Sequence, residues 1–218
     1  MQNKTVNIFN LLLPIFLLVS LMTIALINYP IIFDKAKETV VIVFAAIVVY
    51  IFIWAFIKPD NFSKNGGLLI GFLFVVNISM EEFINWQTHT SKLVSTLTMM
   101  FLIFISFSII SAFKTLQTQN ILKGIKSSFI SALLGTIIAL CFGFLIDYVF
   151  SDRMVSSLKN YPGYNDYSNP KAFTFFNSFD NASNHVIIAP IVSLIMGALG
   201  GATALIILRV KKRKRTTL

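Results

Sequence analysis

Two adjacent carboxylates stand near the end of an apolar segment, in the stretch NISMEEFINW. Glu81 and Glu82 are followed there by Trp86, a residue type that is enriched where a membrane meets water. Asp147 has a similar place, near the end of a later apolar segment. Acids within membrane segments are costly and point to solute, ion or proton sites by default. These three acids are therefore the first candidates for chemistry.

The two histidines extend this set, because each follows or precedes an apolar segment on the same expected side. Imidazole titrates near neutral pH and binds metals, but the spacing His-x-x-x-His of zinc sites is absent, so we expect no metal and no cofactor. We predict an outward-facing polar vestibule that binds a ligand. Its predicted lining residues are Asn77, Glu81, Glu82, Asn85, His89, Asp147 and His185.

A less specific interpretation stays open for the acids. They would then be polar helix ends solvated by headgroups and water, or partners of Lys92 or Arg153 in a salt bridge. Catalysis has no motif in its favour, since the chain contains no Gly-x-Ser-x-Gly, no Walker lysine loop and no dinucleotide fingerprint. We therefore assign no catalytic residue, and we regard an enzyme as the less favoured class.

Composition indicates the elements that would position these side chains. Of the 218 residues, 56% are hydrophobic and 12% are charged, against about 25% charged in an ordinary soluble domain. A helix needs about 20 apolar residues to cross a bilayer. We predict an all-α integral membrane protein whose six transmembrane helices form one bundle and one domain. The predicted spans are 8–28, 39–57, 67–86, 93–113, 127–150 and 186–208.

Basic residues predict the orientation. With both termini in the cytoplasm, 12 of the 18 lysines and arginines fall inside and six outside, as the positive-inside rule requires. The tail 209–218 follows the last span directly and lacks the interleaved aromatic residues of nucleic-acid binders, so we expect it to contact anionic lipid headgroups. The residues expected there are Lys211, Lys212, Arg213, Lys214 and Arg215. The abundance of lysine, asparagine and phenylalanine favours a bacterial cytoplasmic membrane.

Small residues predict how the helices pack, because lipid provides no hydrophobic force between helices. Spans five and six carry such residues at four-residue spacing, and we expect them to form a tight antiparallel pair. Each step of four residues rotates by about 40°, so only three or four members can face one neighbour. In span three, Glu81 lies on the glycine face and Glu82 lies about 100° away. The predicted packing residues are Gly67, Gly71, Gly135, Ala139, Gly143, Ser193, Gly197 and Gly201.

The segment 151–185 is predicted as one outer, aromatic-rich loop, lying in the membrane interface or folding over the vestibule as a lid.

For the whole chain we favour a transport or solute-binding membrane subunit. The alternative is a non-catalytic assembly or regulatory membrane protein, and the second alternative is an intramembrane hydrolase that uses the outer acids and histidines. The polar connector KTLQTQNILKGIK between spans four and five could contact a cytoplasmic or membrane partner subunit.

Overall fold

The computed structural model describes residues 6–84, 89–159 and 163–216, and every structural statement below refers to them. This part of the chain is helical, apart from short connections, and contains no strand. The helices are α1 (Val6–Asn28), α2 (Ile31–Ile57), α3 (Asn61–Phe83), α4 (His89–Thr118), α5 (Ile121–Val149), α6 (Ser151–Leu158) and α7 (Pro170–Thr216), with one 3-10 turn at Tyr164–Asp166.

Five of these helices, namely α2, α3, α4, α5 and α7, are long and apolar enough to cross a membrane. The first helix contributes a shorter apolar stretch, Leu13–Asn28, to the part whose side chains are described. The prediction of an all-α protein with several helices able to span a membrane is therefore confirmed.

Polar residues between the apolar helices explain where α3 and α5 begin. The Asp60 side chain accepts a hydrogen bond from the backbone N–H of Ser63 at 2.9 Å, and that of Asn120 accepts one from the N–H of Lys123 at 3.3 Å. Such caps satisfy backbone donors that have no partner within the first turn of a helix. Both caps lie at the same end of the bundle, because α3 and α5 run parallel.

The centre of the bundle is α5. In its most apolar window 72% of the residues are buried, against 33% or less in the other four helices. A helix that is apolar on all sides is expected in such a place. Leu133, Ile137 and Phe144 belong to the main core, which α1, α2 and α7 complete.

Glycines bring α3 directly against α5. A Cβ atom added at Gly67 would lie 2.7 Å from Leu134 Cβ, and one added at Gly71 would lie 2.8 Å from Ile138 Cδ1. From the other side, a Cβ at Gly135 would lie 2.5 Å from a methyl carbon of Ile70. No larger residue fits without displacement, so the glycines determine how closely these two helices approach.

The small-residue face of α7 is shared between two neighbours. Gly197 lies beside Ser128 of α5, and Gly201 lies beside Ile121, so the two helices are antiparallel. A Cβ at Gly200, however, would lie 2.0 Å from the backbone oxygen of Ser108 in α4. Serine hydroxyls add hydrogen bonds to both contacts: Ser128 donates to the carbonyl of Ser193, and Ser108 donates to that of Met196.

The structure differs from the sequence-based expectation over 151–185, which is not one loop. It contains α6, the 3-10 turn and the first part of α7, a helix of 47 residues and thus about 70 Å in length. Phe175 and Phe179 are buried in the main core, and Phe179 meets the ring of Phe144 edge-on. The reason is a helical pattern of apolar residues that runs on into the last span: Ala172, Phe175, Phe179, Ala182 and Val186.

Candidate functional site

A polar cavity of about 340 Å³ lies where α3 and α5 end, and α4, α6 and α7 complete its walls. Volumes of this size are typical of sites for small ligands. We call it the polar cavity. The polar side chains that line it are Asn77, Glu81, Glu82, Thr96, Asp147, Asn177, Ser178, Asn181 and His185.

Five of the seven residues predicted for the vestibule line this cavity. They come from three helices: Asn77, Glu81 and Glu82 from α3, Asp147 from α5 and His185 from α7. Of the other two, Asn85 lies outside the described residues, and His89 begins α4 but its side chain lies outside them. The acids thus face one common space rather than pointing away from the bundle separately.

The carboxylate of Glu81 is held by two hydrogen bonds. Asn77, one helical turn earlier, donates from Nδ2 to Glu81 Oε1 at 3.0 Å, and Thr96 of α4 donates from Oγ1 to the same oxygen at 3.1 Å. Asn77 is itself buried, so its amide has few other orientations. These bonds fix the position of the acid in the cavity wall.

Asp147 is the most buried of the three acids, with 5% of its surface exposed. The hydroxyl of Ser178 donates a hydrogen bond to its Oδ2 atom. A buried carboxyl group without a partner would cost several kcal/mol, so this bond stabilises both the side chain and the contact of α5 with α7. Ser178 belongs to the segment that was expected to be a loop.

The predicted alternative of a salt bridge between Arg153 and these acids is not found. Arg153 Nε donates to the backbone oxygen of Glu82 and Nη2 to that of Phe83, both at 3.1 Å, and the guanidinium lies over the Phe83 ring. Arg153 thus caps the carbonyl end of α3 and attaches α6 to it. The ion pairs among the described residues are Lys114–Asp60 and Lys171–Asp152.

His185 has a defined orientation. Its Nδ1 atom donates to the backbone oxygen of Asn181 at 2.8 Å, and its ring meets that of Phe74 edge-on at 5.8 Å. In the neutral imidazole this leaves the lone pair on Nε2. No group of three or more histidine, cysteine or acidic side chains among the described residues has the arrangement of a metal site.

Four polar lining residues escaped the sequence reasoning, namely Asn177, Ser178, Asn181 and Thr96. Asn177, Ser178 and Asn181 lie on one side of α7 together with His185, which was predicted, and this helical spacing was the signal for the three. Thr96 carried no comparable signal in the sequence.

Gly143 was predicted as a packing residue, and here the prediction is wrong. A Cβ atom added at Gly143 would meet no atom within 4 Å, and the residue lines the polar cavity. The physical reason is the rotation of a four-residue stripe around its helix. Two steps separate Gly143 from Gly135, so Gly143 has turned about 80° out of the α3 contact.

The lining of the polar cavity combines three carboxyl groups with side-chain amides and hydroxyls, and it includes no lysine and no arginine among the described residues. Such a surface can accept hydrogen bonds from a ligand and can balance a positive charge.

In comparisons of the chain with protein-family models, with curated proteins and with solved structures, no match was found.

Proposed function

We propose that this chain is a transport or solute-binding membrane subunit whose polar cavity receives a small, positively charged organic solute. The observation that carries the proposal is the convergence of Glu81, Glu82 and Asp147 on one cavity of about 340 Å³. Acids in membrane segments ordinarily face a functional space, and a cavity of this size suits a ligand of a few carbon atoms.

The kind of solute follows from the lining. The carboxyl groups attract a cation, and the amide oxygens of Asn77, Asn177 and Asn181 can accept hydrogen bonds from an ammonium group. A face of Phe144 and neighbouring apolar side chains would contact the carbon atoms of the solute. An amine therefore fits better than a carboxylate or a phosphate.

The depth of the cavity supports entry from one end. Its lining on α5 runs from Ala139 to Asp147, a rise of about 12 Å. One residue earlier, Ile138 packs on Gly71 of α3, so the two helices are in close contact just beyond the cavity. Binding needs no further change, whereas transport would require α3 and α5 to separate at this contact.

We further propose six membrane spans, with α1 as the first, both termini in the cytoplasm of a bacterium, and the polar cavity open to the outside. The support is the charge distribution, since the lysines beside the start of α5 lie at the end opposite the acids. In this orientation the basic tail reaches anionic lipids, and the cytoplasmic connector is available to a partner subunit.

A cysteine at position 143 tests the cavity and its charge together. In a Cys141→Ala background, Gly143→Cys places a thiol in the open space of the cavity. We expect a thiosulfonate reagent with a quaternary ammonium group to react at least about tenfold faster than one with a sulfonate, because the acids raise the local concentration of cations. Added to intact cells, the impermeant cation should react from outside.

The matched control is Ser168→Cys in the same background, an exposed position outside the cavity, where the ratio of the two rates should be much smaller. Adding Glu81→Gln to Gly143→Cys should lower the ratio. Equal rates at position 143 would refute the cation site. A thiol at position 143 that does not react in folded protein would refute the cavity and leave the assembly role as the better explanation.

A further inference from the structure

A second cavity, of about 270 Å³, lies at the opposite end of the bundle, where α2 and α4 end and α3 and α5 begin. We call it the basic pocket. Its lining residues are Lys58, Pro59, Asp60, Ser63, Lys114, Thr118, Lys123, Lys126, Ser127 and Ile130.

Four lysines and one aspartate give the lining a formal charge of +3. Asp60 is already engaged within the protein. The backbone N–H and the hydroxyl of Ser63 donate to its Oδ1 atom, and Lys114 forms an ion pair with its Oδ2 atom. The acid thus holds Lys114 in the wall, and the charge of the other three lysines is not balanced within the lining.

These three lysines retain unused donors. Lys126 Nζ donates to the last carbonyl of α2, that of Ile57, at 3.3 Å. The side-chain ammonium groups of Lys58 and Lys123 have no hydrogen-bond or ion-pair partner among the residues that the structure describes, although their backbone N–H groups are bonded. Because an ammonium group has three N–H donors, several remain available to a ligand in the pocket.

The backbone around the pocket is also unusual. Lys58, with φ 47°, and Gln119, with φ 53°, are the non-glycine residues in the left-handed region within the described ranges. Lys58 lines the pocket, and Gln119 follows Thr118, which lines it as well. Strained backbone of this kind persists where the surrounding structure requires it and is enriched at ligand sites. Here it directs the chain so that side chains at two connections, α2–α3 and α4–α5, face one space.

Helix ends add to the positive potential. The N-termini of α3 and α5 both border the pocket, and the N-terminal end of a helix carries a partial positive charge. Lysines beside a membrane commonly extend into water, but here they come from the end of α2, the end of α4 and the start of α5 and line one open pocket. A compact anion bound there would accept hydrogen bonds from the lysine donors that remain unused.

We propose that the basic pocket binds the phosphate group of an anionic ligand. A membrane phospholipid can supply that group, since the pocket lies at the level where helices leave the apolar segment, and so can free phosphate. Basic pockets between membrane helices are known to favour such headgroups. The inference uses no residue of the polar cavity, so it stands or falls independently of the proposed function.

The double substitution Lys123→Gln with Lys126→Gln tests the pocket in the full-length protein. Retention of phosphatidylglycerol is measured by native mass spectrometry after reconstitution with mixed phosphatidylglycerol and phosphatidylcholine. Binding of inorganic phosphate is measured by thermal stabilisation in lipid-free micelles. For whichever ligand binds, we expect the affinity to fall by about 30-fold, the equivalent of about 1 kcal/mol for each lysine.

The matched control, Arg209→Gln with Lys211→Gln, removes two charges from the same end of the bundle but outside the pocket, and should leave the affinity within about threefold. Lys123→Arg with Lys126→Arg should retain binding and so excludes misfolding as the cause. Saturable binding of phosphatidylglycerol alone identifies a lipid, and competition by inorganic phosphate identifies the free anion. Binding of neither, or equal loss in the control, would overturn the proposal.

Discussion

Alanine at two glycines of α5 should have clearly different effects on stability. At Gly143 the new methyl group enters open space, whereas at Gly135 it would lie 2.5 Å from Ile70 Cγ2 and 3.2 Å from the backbone nitrogen of Gly71. Replacing glycine by alanine within a helix stabilises it by about 1 kcal/mol, and overpacking a close contact costs about 1 to 3 kcal/mol. Because the helix effect is common to both variants, the difference between them measures the overpacking alone.

We therefore expect Gly143→Ala to be about 1 kcal/mol more stable than the natural chain, and Gly135→Ala to be less stable than Gly143→Ala by about 1 to 3 kcal/mol. For a protein of this size the difference corresponds to about 2 to 12 °C in melting temperature. Unfolding by heat or by dodecyl sulfate in detergent micelles can be followed through the fluorescence of buried Trp54.

Equal stability of the two variants would refute the close contact of α3 with α5. A lower stability for Gly143→Ala than for Gly135→Ala would also contradict the open space at Gly143, and with it the shape of the polar cavity. Each variant is first purified by size-exclusion chromatography, and only protein that elutes at the volume of the folded natural chain is compared.

Two further predictions concern single polar contacts. Burial by itself raises the pKa of the Asp60 carboxyl, but the hydrogen bonds from Lys114 and Ser63 and the charge of Lys114 together outweigh burial and hold this pKa below its usual value. Asp60 should therefore stabilise the fold above its pKa in the unfolded chain, about 3.9, and this contribution should be lost as the pH falls through the lower pKa of the folded chain. Melting temperatures measured from about pH 7 to pH 3 should show a smaller decrease for Asp60→Asn, and an unchanged profile would contradict the ion pair. Ser178→Ala removes the donor to buried Asp147 and should cost about 1.5 to 3 kcal/mol in the same melting assay. Ser183→Ala, which removes a hydroxyl bonded to a carbonyl in an exposed contact, should cost less than about 1 kcal/mol, and equal costs would count against the bond to Asp147.

Hydropathy alone predicted the presence of the membrane helices but not their ends. The span predicted at 39–57 corresponds to α2, which already begins at Ile31, and the span at 93–113 corresponds to α4, which continues to Thr118. Apolar composition reports the part of a helix that suits the hydrocarbon. A helix itself continues until a cap or a change in backbone conformation ends it, as Lys58 does in the left-handed region.

The acids of the candidate site could be found from their place at helix ends. Glu82 was predicted to line the vestibule although it lies about 100° from Glu81 on the helix, and it does line the cavity, because the cavity is wider than one face of α3. Apart from His185, the contribution of α7 was missed, since turn-forming residues in the first part of 151–185 favoured a loop. The apolar pattern that begins at Ala172 indicates a helix only when it is read together with the last span.

The sequence by itself determined the all-helical class, the apolar segments, and the placement of most acids at one end of the helices and of most basic residues at the other. These properties depend on local composition and periodicity, which each segment of the chain carries by itself. Only the tertiary structure decided that Gly135 meets α3 while Gly143, two four-residue steps later, lines a cavity, and that four lysines share one pocket. Such outcomes depend on how closely and at what rotation two helices meet, and side chains from distant segments determine that geometry jointly.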